Sequence, residues 1–408
     1  MNAGRLFEKA GYGTILPIIV PVIILMLAIG FGVLGLGSHS RMLAIRTGTD
    51  ISAQCAADAA IAEAVFRMNE KIKIKPWDGS SFPAASNVSL PNCDATFDYV
   101  VSEISGDYVV NATGRTGRSV HNIEGILRIK SVFDYALFAK DTLELKNSAT
   151  VDWYNNQPDD WPLQIGTNSI TTGAITFMSS TTINGDVLVG VGGDPSTVID
   201  AKSDVTVTGD SYAIFSNVVL PSITVPDWLS AMSSGSDLEV KNPQTTKTVS
   251  ASGKYDNLYL ANSKNLIIDE PVLLYIIGDI TLDNDANIVI GGPTDVDNDA
   301  SLTIYLAGNF ESKNSSTINN LTADARRFTM YGLDSCTKLT IKNGCNLYGT
   351  IYAPNADITI DNSGNIYGSV IGNSVTLMNS GTFYYDTDLR NRTVNDEAVR
   401  FTIQRWIE

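Results

Sequence analysis

"KLTIKNGCNLYGTIYAPNA" (residues 338–356) laid over "DITIDNSGNIYGSVIGNSV" (357–375) matches Thr340 with Thr359, Leu347 with Ile366, Tyr348 with Tyr367 and Gly349 with Gly368, all at an offset of 19 residues. Leu339, Ile358 and Leu377 carry the same spacing to a third copy. Apolar and polar residues alternate within each copy, so one face of every strand is written for burial. At ~3.3 Å per residue, a strand-and-turn repeat of this length suits one coil of a parallel β-helix, whose coils stack over a continuous core. Looser versions run back through "GAITFMSSTTINGDVLVGVGG" from Gly173, "SDVTVTGD" from Ser203 and "NLIIDEPVLLYIIGDITLDNDANIVIGG" from Asn265. Short strands without an intervening helical period predict a right-handed solenoid over 133–386. A β-sandwich is the alternative for periodic short strands, and the fixed register argues against it.

Upstream of the repeats, 76–132 reads as a linker and a small β meander. Three Pro and four Ser lie between Pro76 and Cys93, and strand-like runs follow around Phe97 to Val101, Tyr108 to Ala112 and Val120 to Ile129, broken at Ser105-Gly106 and Gly114 to Gly117. Residues 387–408 are left as a C-terminal tail.

The N-terminal 1–75 is of another kind. Ile15 to Leu36 is an uncharged run of 22 residues, ~33 Å long as a helix and sufficient for a ~30 Å hydrocarbon core. No small-residue cleavage site follows it, and Pro17 and Pro21 are tolerated better in a membrane helix than in a soluble one. Met42 to Lys73 continues the helix as a stalk, with Ile45, Ala56, Ala59 and Phe66 assigned to one face. Seven of the twelve residues from Ala53 to Ala64 are Ala. Such a surface, with Ala53, Ala56 and Ala60 as its contacts, admits close packing against another helix or against the body of its own domain.

Composition bounds the function. The chain has 408 residues and a net charge of −16 without any basic cluster, which argues against nucleic-acid binding. His39 and His121 lie in different segments, so neither a His-based metal site nor a Ser-His-Asp triad is expected. Arg5 and Lys9 before the span and Arg41 and Arg46 after it leave the positive-inside count nearly balanced. The acidic, cysteine-bearing β body favours placement of the C-terminal side outside the cytoplasm, in the periplasm or at the cell surface. Cys55 with Cys93 and Cys336 with Cys345 are the expected disulfide sets, with unpaired thiols the alternative.

The Gly11-Tyr12 junction, the apolar span and "AQCAADAAIAEAVFRMN" (Ala53 to Asn69) resemble the N-terminal segment of PilX-type, type IV pilin-like proteins. "FDYALFAKDTLELKNSATVDWYNN", "LYGTIYAPNADITI", "IYGSVIGNSVTL" and "FYYD" (Phe383 to Asp386) are similar to the β-helical C-terminal domain that accompanies such N-termini. The resemblance implies prepilin processing between Gly11 and Tyr12 and a minor subunit or assembly factor of a type IV pilus or related secretion filament. Its partners would be other pilin-like subunits, the assembly machinery and the membrane. Tyr12 replaces the family's Phe, and Leu16 stands where its Glu falls.

Chemical sites are sparse. Asp295, Asp297 and Asp299 alternate in "DVDND" as Ca²⁺ ligands do, although Ala300 and Leu306 occupy the positions where an EF-hand has Gly and Glu. No other cofactor is expected. Polysaccharide-cleaving β-helices need carboxylate pairs or a basic residue beside bound Ca²⁺. Asp357 and Asp361 flank one strand with no such partner recurring, so the chain is not read as an enzyme. "VGVGGDP" (189–195) lacks the Lys and helix of a phosphate loop and reads as a turn. Tyr348, Tyr352, Tyr367, Tyr384, Tyr385, Trp153 and Trp161 would make a sugar-stacking strip if they shared a face, with half of them expected in the core. The alternatives to a structural pilin-like role are therefore a cell-surface adhesin or glycan-binding module and, second, a glycan-cleaving β-helix enzyme.

Overall fold

The computed structural model describes residues 16–407 except 147, 155–161, 293–294, 296–298, 344, 363 and 379–381. The chain is a long N-terminal apolar helix followed by a mainly β region, and it divides into two compact units.

In the first unit, α1 (Leu16–Lys71) is one uninterrupted helix with Pro21 inside it. Its N-terminal half is long and apolar enough to cross a membrane and is exposed. The C-terminal half packs on an antiparallel sheet of β1 (Ala84–Ser89), β2 (Thr96–Ile104), β3 (Asp107–Thr116) and β4 (Ser119–Ser131). Ser105 and Gly106, both at positive φ, make the two-residue β2–β3 turn. The fifth strand is Val399–Ile407, beside β4. The end of the chain is thus part of the N-terminal sheet and not a tail. Val399 and Phe401 alternate with polar Arg400 and Thr402, and the two apolar side chains are buried. Asn69 ties this strand to α1, its amide donating to the Phe401 carbonyl at 3.0 Å and its carbonyl accepting the Phe401 N–H at 2.7 Å.

The second unit, 129–400 with 72–77, is built of parallel ladders. One runs from Ser211–Ala213 through Asp186–Val189, Gln164–Thr167, Leu137–Leu145, Ile366–Leu377, Leu347–Asn362, Phe328–Gly332, Ser301–Leu306 and Pro271–Ile276 to Gly253–Tyr255. A second runs from Ile199–Ala201 through Ile175–Phe177 and the later halves of the three long strands to Lys338–Asn343, and then on to Leu238–Val240. The third is in two pieces, one from Thr206–Val207 to Leu347–Asn362 and one from Thr246–Val249 to Thr317–Asn320. Each ladder carries an inward apolar column. Leu258, Ile280, Phe310, Leu339, Ile358, Val375, Leu143 and Ile175 are successive partners in the second ladder, and all are buried. Each such side chain contributes about 1.5–3 kcal/mol of burial.

Sequence order and stacking order differ. The 366–385 segment pairs with 137–153, so the first strands of the unit sit between its last strands and those at 164–183. Residues 214–237 then carry the chain from one end of the ladders to the other. They are tied by Val218 to Asn168 in both directions at 2.8 Å, by the Pro221 carbonyl to Tyr352 Oη at 2.6 Å, and by the Ser230 carbonyl to Lys254 Nζ at 2.7 Å.

The 19-residue register holds from Leu339↔Ile358 and Leu347↔Ile366 to Ala353↔Gly372 and then shifts. Asp357 pairs with Ser374, so Val375 and not Leu377 stacks on Ile358, while Leu377 stacks on Ile360. The third copy is shorter by two residues, and an even shift leaves every side chain on its original face. Asn and Asp recur at the turns because each caps its neighbour. Side-chain oxygens of Asp237, Asn257, Asp279 and Asn309 accept the N–H groups of Asn257, Asp279, Asn309 and Lys338 in turn, at 2.8–3.1 Å. Gly349 and Gly368 are small for a different reason: a Cβ on Gly368 would collide with the Gly349 carbonyl.

Candidate functional site

The Ala-rich half of α1 is consumed by its own sheet. Ala53, Ala56, Ala57, Ala60, Ile61, Ala64 and Met68 are buried at helical spacing. Gly114 in β3 makes the approach possible, since a Cβ there would strike the Ala53 carbonyl and the Ala57 nitrogen; at Gly125 a Cβ would stand 3.0 Å from Ile61 Cδ1. Of the face drawn from sequence, Ala56 is buried but Ile45 and Phe66 are exposed, because they lie outside the helical stripe from Ala53 to Met68 that meets the sheet. The helix before Ala53 keeps an apolar surface that includes Met42, Leu43, Ile45 and Ile51 beyond the 22-residue run. Gly11 and Tyr12 lie outside the described residues.

The aromatic residues divide by face. Tyr352 and Tyr385 are fully buried, and burial pushes both phenols well above the usual tyrosine range. Tyr385 Oη donates to the Phe133 carbonyl at 2.8 Å, while Arg390 lies over the Tyr385 and Trp153 rings. Tyr348, Tyr367 and Tyr384 are register partners on the outer side of the third ladder, where they alternate with buried Leu347, Ile366 and Phe383. Their rings stack, Tyr348 on Tyr367 at 4.3 Å and 6°, and Tyr367 on Tyr384 at 5.0 Å and 14°. Tyr154 crosses this column nearly at right angles, 4.8 Å from Tyr367 and 6.3 Å from Tyr348. Its backbone N–H is held by the Tyr385 carbonyl at 2.9 Å. Trp161 lies outside the described residues. Alternation pointed to which aromatics face outward, but no signal in the sequence placed Tyr154 on that column.

Carboxylates do not converge: among the described residues there is no group of three or more His, Cys, Asp or Glu placed to hold a metal. Asp295 is buried, its Oδ1 accepting the Asp299 N–H at 3.0 Å while Oδ2 meets no hydrogen-bond partner. Asp297 lies outside the described residues. Asp357 accepts from Asn373 and Ser374 and is spent on the local turn. At "VGVGGDP", Asp194 caps the one-turn helix Pro195–Val198 through a 3.0 Å bond from the Ser196 N–H, as a turn does.

The expected disulfide sets are not formed. Cys55 and Cys93 are exposed thiols, and Cys336 is buried, its thiol pushed up to about 11 by desolvation. Cys345 donates to the Asn346 carbonyl at 3.3 Å. Cys336 and Cys345 lie beyond opposite ends of Lys338–Asn343, and six extended residues span ~20 Å, well past the ~7 Å Cα limit for a bridge.

Residues 224–392 match a family described as a domain of unknown function (DUF7305). No curated protein sequence matches the chain significantly. Among solved structures, an ice binding protein from an Antarctic bacterium, Flavobacteriaceae, is similar at 10% identity and a TM-score of 0.17, over 62% of this chain and 79% of that one. The competence-associated pilin ComZ from Thermus thermophilus is similar at 11% identity and a TM-score of 0.22, over 88% of this chain and 97% of that one.

Proposed function

We infer that this is a membrane-anchored, pilin-like structural protein without catalytic activity, a minor subunit or assembly factor of a type IV pilus or related secretion filament. It carries a right-handed parallel β-helix outside the cytoplasmic membrane. The observation that supports this most is the division of labour along α1. Its C-terminal half is buried by alanines beneath an antiparallel sheet, while its N-terminal half stays apolar and exposed over more than a membrane thickness. A helix of this kind is stable in water only when something covers it, and a bilayer or neighbouring helices are the media that do.

The β-helix reading rests on the three parallel ladders and their shared inward columns, since coils that wind in one direction return each strand beside its predecessor. The acidic excess of the chain makes copies of the β body repel at low salt, which leaves assembly to the helix.

Fractionation of cells producing the full chain tests this reading. The protein is expected in washed membranes and in sheared filaments, with a mature N-terminus at Tyr12. Recovery in the soluble fraction, or absence from filaments sheared from the same cells, overturns it. A chain still beginning at Met1 but retained in membranes would leave the anchor and remove the prepilin processing.

A further inference from the structure

We propose that one end of the parallel ladders, residues 199–213 with Phe215, is a docking edge for an extended, lysine-bearing apolar segment of a partner protein. The two ends of the stack differ. At one, Leu229 of the one-turn helix Asp227–Ser230 is buried in the core beside Gly253–Tyr255, and the inner side chains of the last strands, Leu238, Val240 and Val249, are buried with it. At the other, Ser211–Ala213, Ile199–Ala201 and Thr206–Val207 each pair on one side alone among the described residues. The inner side chains of this coil, Ile199, Val205, Val207 and Ala213, stay half-buried.

The open side carries a row of backbone groups. Thr206 and Thr208 donate their N–H groups back to the Thr181 and Ile183 carbonyls at 2.9 and 3.0 Å, so the N–H and carbonyl of Val207 between them point away from the stack. The Asp210 carbonyl and the Ile214 N–H also bond back, to Val187 and Val189, which by the same alternation turns the groups of Ser211 and Ala213 outward. Such an edge is a template for another strand. Aromatic anchors stand beside it. Tyr212 is held by its bond to Asp186 Oδ2 at 3.3 Å and by Gln164 Nε2 at 3.2 Å, and Phe215 is 99% exposed. Asp200, Asp204 and Asp210 are exposed against one lysine, Lys202, so the complementary segment is cationic. A second copy presenting the same end would bring like charges together.

The full chain in detergent micelles, titrated by calorimetry with an octapeptide of alternating valine and lysine, tests the assignment. The controls are the same peptide N-methylated throughout its backbone, which keeps the charge and removes the strand donors, and a valine–glutamate octapeptide. Binding of the first peptide alone is expected, weakened roughly tenfold by Phe215→Ala. Ala213→Pro, which removes an outward donor and none of the bonds back to the stack, should weaken it as well. Should the proline variant melt below the parent, the N-methylated peptide still reports on the edge. The proposal falls if the valine–lysine peptide does not bind, if either control binds equally well, or if Phe215→Ala leaves affinity unchanged. It falls also if sedimentation shows dimers that Phe215→Ala disperses, since the occupant is then a second copy. Peptide binding does not require filament assembly, so the anchoring role stands or falls separately.

Discussion

Leu137 and Val370 are register partners in one parallel ladder, although one lies at the start of the second unit and the other near its end. The chain therefore enters its stack in the middle, and the earliest strands are held on one side by the latest. Both side chains are buried. Val370→Asp puts an unpaired charge between Ile351 and Leu137 and is expected to cost several kcal/mol. Hydrogen exchange should show protection lost at 137–145 as well as around residue 370. Exchange that rises only locally around 370 would contradict the register.

Gly114→Ala tests the helix–sheet contact of the first unit. The added methyl has only backbone to displace at Ala53 and Ala57, so an overpacking cost of about 1–3 kcal/mol is expected. Thermal unfolding of the variant against Gly117→Ala, where nothing lies within 4 Å of the added carbon but φ is +59°, separates steric collision from backbone strain.

Tyr385→Phe removes one hydroxyl from the core. The Phe133 carbonyl loses its 2.8 Å donor and the Arg390 side chain its 3.2 Å acceptor. Loss of a buried hydrogen bond that leaves its partner unmet costs about 1–3 kcal/mol. The denaturation midpoint should fall while the denaturant slope stays constant.

Stability should depend on pH through Glu397. Burial holds its carboxyl above the ordinary glutamate range, and Lys75 opposes that shift only in part. As pH rises through the interval between the unfolded value and the raised folded one, the folded state keeps a proton that the unfolded state has released, so stability falls. Glu397→Gln is expected to flatten that part of the profile. Thermal melts of parent and variant from about pH 4 to pH 7 measure it, and parallel curves would refute the assignment.

Much of the architecture was legible where side-chain period and backbone agree. The 22-residue apolar run predicts a helix, and Leu16–Lys71 is one. Alternation in 338–377 predicts stacked parallel strands, and Lys338–Asn343, Leu347–Asn362 and Ile366–Leu377 pair in parallel. The alternation of Val399 and Phe401 was equally readable, yet a strand nine residues long at the end of a chain does not disclose its partner. The Cys336–Cys345 spacing misled for a related reason: proximity in sequence across an extended strand means distance in space.

By itself the sequence determined which strand residues of the repeats face inward, where the chain turns, and that an apolar helix precedes an acidic β body. Those properties are local, set by the period of two along a strand, the 3.6 of a helix and the conformational preferences of Gly, Asn and Asp. Only the tertiary structure decided that the last strands of the second unit lie against its first, that the alanines of α1 are spent on Gly114's sheet, and that Tyr154 lies across a tyrosine column. Each joins segments whose separate patterns are compatible with many partners, and the choice among them is made by packing, which no single segment encodes.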